Sequence, residues 1–418
     1  MSIFHDESQY GAFKDLLEDS RAPVMDTSEF KMEVLDIVQS STGKWLPPLR
    51  EYTTASQLAR SIRPNLRLIF APLDYPTPTT SETLTALFEM YSVPTAFIAE
   101  RVQSVTHAFG FERSKDGGFC TWLHFLCKAI EPKHDNILWL RSGYFLSRDA
   151  QQKTTLICFG ASNMLEKRFL SLPGENWQAA TEDPFSLLAV VLSDLHLQLD
   201  EQLWTLNTSV GTVEHHTIAS AEARDFKLNF VHLHYIAKNL IHLKEASDAL
   251  LQTVQHMIAE QSETPTPASW GYMKASSALR YQQTLLESIN LRAISMEKRM
   301  QNVINLSFNL VAQRDSATIL TESSSMHTIA LTTLIFLPIS TVATIFGSQF
   351  FNFLDPDSRD GFHVSPQFWI FWAFTVPLTI VVLTIWIYYH PSNVSRWPSL
   401  KRSNKQDQAY QMMDLSRK

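Results

Sequence analysis

The chain has 418 residues and a mass of 47.7 kDa; hydrophobic residues make up 45 % and charged residues 18 %. The usual charged fraction of soluble chains is about 25 %, so disorder throughout is excluded and part of the chain reads as lying out of water. Lys plus Arg is 35 against Asp plus Glu 42, a net charge of -7, and this lack of basic excess excludes a dedicated nucleic-acid binder. Cys120, Cys127 and Cys158 have no C-x-x-C spacing, so they form neither a disulfide framework nor a zinc site and read as reduced, packed thiols.

Residues 1–60 open on MSIFHDESQYGAFKDLLEDS, which is acidic and lacks the apolar core of a secretory signal or transit peptide. No structure is assigned to this region. Residues 61–183 alternate short apolar runs (LRLIFAPL, GGFCTWLHFLCKAI, ILWLRSGYFLSR, KTTLICFGAS) with turn signals, which predicts an α/β or α+β domain of about four to six strands. G-x-G-x-x-G, G-x-x-x-x-G-K and G-x-S-x-G are all missing from this region. With neither a phosphate-cradling loop nor a nucleophile elbow to place, the chain is read as not being an enzyme and as needing no cofactor.

Residues 184–328 read as long amphipathic helices, over 185–218, 226–261 and from Lys274 onward. In the third, Leu279, Leu286, Ala293 and Met300 repeat every seven residues, and Ile289, Met296, Val303, Leu310 and Ala317 hold the second register. The repeat fits either a bundle seam inside one subunit or self-association around an axis. Gln282, Gln283, Asn290, Gln301, Asn302 and Asn305 fit a stalk with a wet face.

Residues 329–351 and 368–389 contain no Asp, Glu, Lys or Arg, and at 1.5 Å per residue each spans about 33 to 35 Å, enough for two transmembrane helices. The loop between them, 352–367, carries a net charge of -2 and the tail, 390–418, a net charge of +4, which leaves -9 on residues 1–328. The basic tail predicts a cytosolic C-terminus; two spans then put the large N-terminal region on the same side. His215, His216, His232, His234, His242 and His256 meet the same-face spacing of a metal site only loosely and are read as satisfied or solvent-facing, with no site assigned. Asn207, Asn305 and Asn393 match the glycosylation acceptor pattern but fall on the expected cytosolic side.

In the first span Met326, Ala330, Thr333, Leu337, Ser340, Thr344 and Gly347 follow steps of four and three residues, one helical face. That face ends at Phe346-Gly347-Ser348-Gln349-Phe350. A long helix entering LTTLIFLPISTVATIFGSQFF, a short acidic loop, a second span and a basic tail together resemble the CorA-type divalent-cation transporters, in particular their divergent fungal-type branch. Pro338 and Gly347 hold the family's proline and glycine places, and Ser348 and Gln349 stand for the Met and Asn of its signature. The resemblance implies a CorA-like funnel: an α+β cytosolic domain with long stalk helices followed by two C-terminal transmembrane helices, assembled as a homopentamer in membrane lipid. It implies a pore lined by Thr333, Leu337, Ser340, Thr344 and Gly347, with constrictions at Met326, Ile329 and Leu337 and a selectivity ring of Gly347, Ser348 and Gln349. Asp355, Asp357 and Asp360 would concentrate cations outside. The implied cargo is a divalent cation, Mg²⁺ first, with Zn²⁺, Co²⁺ and Ni²⁺ left open by the departure at Ser348 and Gln349. The alternative is a family member that does not conduct and serves as a membrane-tethered interaction protein.

Overall fold

The computed structural model describes residues 30–73, 81–130, 138–221, 229–263, 269–347 and 368–389. The short apolar runs form β1 (Met32–Ile37), β2 (Leu49–Thr53), β3 (Leu66–Ala71), β4 (Ala108–Arg113), β5 (Phe119–Lys128), β6 (Trp139–Arg148) and β7 (Thr154–Phe159). They make one sheet in the order β2-β1-β3-β7-β6-β5-β4. Only the central β3–β7 pair is parallel. The chain leaves β3, crosses to the far edge at β4 and returns strand by strand to lie beside β3.

The sheet begins before residue 61, which corrects the expected boundary. Met32, Val34, Leu35 and Ile37 are buried in β1, which pairs on both sides. The helix α1 (Ala55–Arg60) follows β2 behind a capping box, in which Thr54 accepts the Gln57 N–H and the Gln57 side chain accepts the Thr54 N–H. Both belong to the α/β domain.

Both faces of the sheet are covered, and the period of two sorts the side chains between them. Leu68, Leu146, Leu156 and Cys158 enter one core while Ile69, Phe145, Ile157 and Phe159 enter the other. The second core is closed by α1, α2 (Ser81–Tyr91) and α3 (Thr95–Val102). The first is closed by α4 (Asn163–Leu170), α5 (Gly174–Glu182), α6 (Phe185–Ala221), α7 (Phe230–Glu263) and the first part of α8 (Trp270–Gly347). This two-sided cover accounts for the near-continuous apolar run of β5, which alternation alone would not produce.

The helix α8 has 78 residues. Leu279, Leu286, Ile289, Ala293, Met296, Met300 and Val303 are at most 5 % exposed and join the first core, so this part of the repeat is a seam within one subunit. Arg292 with Asp200 and Arg299 with Glu214 tie α8 to α6, and Lys244 with Glu297 ties α7 to α8. Gln282 departs from the wet-face expectation, since it is buried; Gln301, Asn302 and Asn305 are exposed.

The chain divides into two compact units, Met1–Phe308 and Asn309–Lys418. In the second, Leu310 and Ala317 are not buried. This unit holds the rest of α8 and α9 (Phe368–Tyr389), helices long and apolar enough to cross a membrane. Pro338 and Pro377 lie inside them, a position tolerated in membrane helices, where neighbouring groups satisfy the freed carbonyls.

Candidate functional site

On the last turns of α8, the described positions of the predicted stripe all face outward from the single chain. Met326, Ile329 and Leu337 are 73, 67 and 61 % exposed, and Thr333, Ser340, Thr344 and Gly347 are exposed with them. The buried positions are Pro338 and Val342. At 100° per residue they lie about 140° and about 180° around the helix from Thr333, on the opposite side from the stripe. A Cβ added at Gly347 would meet nothing within 4 Å, so packing within the chain does not require a glycine there.

The hydroxyls on this face donate to the preceding turn. Thr333 Oγ1 reaches the Ile329 carbonyl at 2.9 Å, Ser340 Oγ the Leu337 carbonyl at 3.0 Å and Thr344 Oγ1 the Ser340 carbonyl at 2.7 Å. Thr332 and Thr341, off the stripe, do the same toward Thr328 and Leu337. Neither back-bonding nor exposure singles out the stripe, since Thr332, Phe336, Thr341 and Ile345 are exposed as well; what distinguishes it is its place opposite Pro338 and Val342. With its proton committed to a carbonyl, each such oxygen keeps only acceptor capacity. Ser348, Gln349, Asp355, Asp357 and Asp360 lie outside the described residues.

In the α/β domain, α3 and β5 bring together Glu100, Arg101, Trp122 and His124. Arg101 Nη2 lies 2.9 Å from His124 Nδ1, and His124 Nε2 lies 3.1 Å from the Phe97 carbonyl. A guanidinium only donates, so Nδ1 accepts and Nε2–H donates to Phe97, which fixes a neutral tautomer. Burial, then the Arg101 cation, hold the His124 pKa down to about 3. Glu100 accepts from Trp122 Nε1 at 3.1 Å; burial nevertheless raises its pKa to about 7. Burial also pushes the Cys120 and Cys127 thiols up to about 12, and Cys158 is raised as well. No short motif joins Glu100 to His124, so this cluster leaves no sign in the sequence. The packing of α3 against β5 places them side by side.

Among the described residues no three His, Cys, Asp or Glu side chains stand close enough to hold a metal ion. Of the helical histidines, His242 lies 3.9 Å from Glu245, and the His256 ring is tilted 38° to that of Phe109 at 6.1 Å between centres.

A sheet domain covered by long helices and followed by two apolar C-terminal helices defines a class of two-span membrane protein with a large extramembrane domain. The family model described as "CorA-like Mg2+ transporter protein" matches residues 70–389, and the chain belongs to this family. Its members are transporters and not enzymes, and the chain is a membrane protein whose two spans are C-terminal. Among curated proteins the chain is similar to "Notoamide biosynthesis cluster protein M'" of Aspergillus versicolor, with 29 % identity over 222 residues, 48 % of each chain. It thus spans about half the length of that relative. Among solved structures it is similar to the CorA magnesium transporter from Methanocaldococcus jannaschii, at 14 % identity and a TM-score of 0.46 over 86 % of this chain and 98 % of that one. It is similar also to the full-length CmaX protein, at 11 % identity and a TM-score of 0.49 over 87 % and 98 %. The cytoplasmic domain of ZntB from Vibrio parahaemolyticus RIMD 2210633 is a third likeness, at 15 % identity and 0.37 over 66 % and 99 %.

Proposed function

We propose that five copies of this chain enclose a pore that carries divalent cations down their electrochemical gradient, with Mg²⁺ as the first cargo and Zn²⁺, Co²⁺ and Ni²⁺ as alternatives. The observation that carries this reading is the exposed hydroxyl stripe of α8, set opposite the helix's buried face, in a chain of a Mg²⁺ transporter family. Mg²⁺ gives up its inner waters reluctantly, and those waters point their hydrogens outward. Oxygens that have already committed their own protons suit that shell and offer an anion nothing. Met326, Ile329 and Leu337 would gate by dewetting, and the amide of Gln349 would receive the hydrated ion at the pore mouth beside Gly347 and Ser348.

In this reading both termini lie in the cytosol, which the charge asymmetry of loop and tail supports, with Asp355, Asp357 and Asp360 outside. A divalent ion crossing about 100 mV gains about 4.6 kcal/mol, twice the single-charge value, so no nucleotide is needed. The reading is tested by Mg²⁺ uptake into proteoliposomes carrying Thr344→Val or Gln349→Ala. Each removes one acceptor per subunit and is expected to slow flux about tenfold or more with assembly intact, whereas Gln349→Asn retains it. Parent-like flux from both Thr344→Val and Gln349→Ala would contradict the assignment of this face.

A further inference from the structure

Where α4, α5, α6 and the first turns of α8 meet, the first unit contains a cavity of about 350 Å³. Arg168 and Lys274 line it, and no Asp or Glu does. Both cations have neutral partners. Arg168 Nη1 donates to Ser193 Oγ at 2.7 Å; Lys274 Nζ donates to Asn176 Oδ1 at 2.6 Å and stands 4.4 Å from the centre of the Trp270 ring. A guanidinium has five N–H donors and an ammonium three, so most of this donor capacity is uncommitted. Gln282 lines the cavity and is 7 % exposed. Its amide oxygen has no hydrogen-bond partner and is itself closed to water, so a donor in the cavity meets it once the side chain turns toward that space. Leu187 and Val190 supply an apolar wall. A concave, mostly apolar site with a few convergent polar groups is the usual form of a small-molecule pocket.

We propose that this cavity binds a small organic anion: a carboxylate or phosphate taken up by Arg168 and Lys274, an apolar body against Leu187 and Val190, and an O–H or N–H donating to Gln282. The inference is independent of the pore reading, because every lining residue lies in Met1–Phe308. The full chain in zwitterionic nanodiscs would be titrated calorimetrically with 6-hydroxy-2-naphthoate, subtracting empty nanodiscs. The expected result is saturable binding of one molecule per chain, with 2-naphthol, which lacks the charge, and inorganic phosphate, which lacks the body, at least tenfold weaker. Lys274→Gln and Arg168→Gln are expected to weaken binding about tenfold or more at an unchanged thermal midpoint, while Lys244→Gln, outside the cavity, leaves it unchanged. Should either cation variant fold poorly, Val190→Trp, which fills the wall, serves as the second test and should abolish binding. The absence of saturable binding, or parent-like affinity in Lys274→Gln and Val190→Trp, would overturn the proposal. Equal affinity for 2-naphthoate would overturn the part given to Gln282.

Discussion

Glu100 and His124 stand 3.5 Å apart and titrate in opposite senses. The folded His124 pKa, about 3, lies below its ordinary 6.5, so the unfolded chain binds the extra proton between those values and stability is lost as pH falls. Glu100 at about 7 lies above its ordinary 4.5, so the folded chain binds the extra proton there and stability is lost as pH rises. Between about 4.5 and 6.5 the two slopes oppose and the parent should show little net dependence from this pair; below about 4.5 His124 acts alone. His124→Gln should therefore unmask Glu100, and its unfolding midpoint relative to the parent should fall as pH rises from 4.5 to 6.5; a flat difference would contradict the assignment. Gly110 illustrates a second constraint at this scale. Its cross-strand partner is Trp122, and a Cβ on Gly110 would come within 2.1 Å of the indole. Gly110→Ala should cost about 1 to 3 kcal/mol in a thermal or denaturant melt, and a neutral result would show that the ring can move aside.

Elements were legible where periodicity was strong and illegible where it was short. The heptad positions of α8 from Leu279 to Val303 could be read as a seam, and the structure assigns them to the core of their own subunit. β1 and β2 escaped because MEVLDI and LREYT are brief and, in β2, mostly exposed, so neither shows a convincing alternation alone. What fixes them is pairing: Asp36 on β1 faces Arg67 on β3, and the two form a double hydrogen bond at 2.7 Å and 2.7 Å. Arg67 is 3 % exposed, so Asp36→Asn leaves a buried guanidinium without its counter-charge. The expected cost is about 3 kcal/mol, read as a lower thermal midpoint, and a loss below about 0.5 kcal/mol would mean that the other groups around the guanidinium, Ser61, Ile62 and Tyr91 among them, suffice. The two-cation cavity was equally invisible in sequence, since Arg168 and Lys274 stand on helices more than a hundred residues apart.

For the whole molecule, order and architecture were legible because hydrocarbon thickness sets span length and leaves few alternatives for two charge-free runs. The hydroxyl stripe could be listed from spacing as one helical face, but its place opposite Pro338 and Val342 needed the structure. The assembly is expected to run as a pentamer of about five times 47.7 kDa by mass photometry; a stable monomer or dimer would remove the pore. Topology is open to labelling because the native thiols are poor competitors: two are buried, and all three are shifted toward the unreactive thiol form. In intact cells a cysteine placed at Ser358 should react with an impermeant maleimide and one at Ser403 should not, and the reverse pattern would invert the orientation. The central claim is conduction, and its most direct measurement is Mg²⁺ entry into sealed liposomes containing the purified parent protein, under an inward gradient with the interior negative. Entry that rises with the imposed potential and is missing from protein-free liposomes is the predicted result; a correctly folded, reconstituted assembly that moves no Mg²⁺, Zn²⁺, Co²⁺ or Ni²⁺ under the same gradient would contradict it.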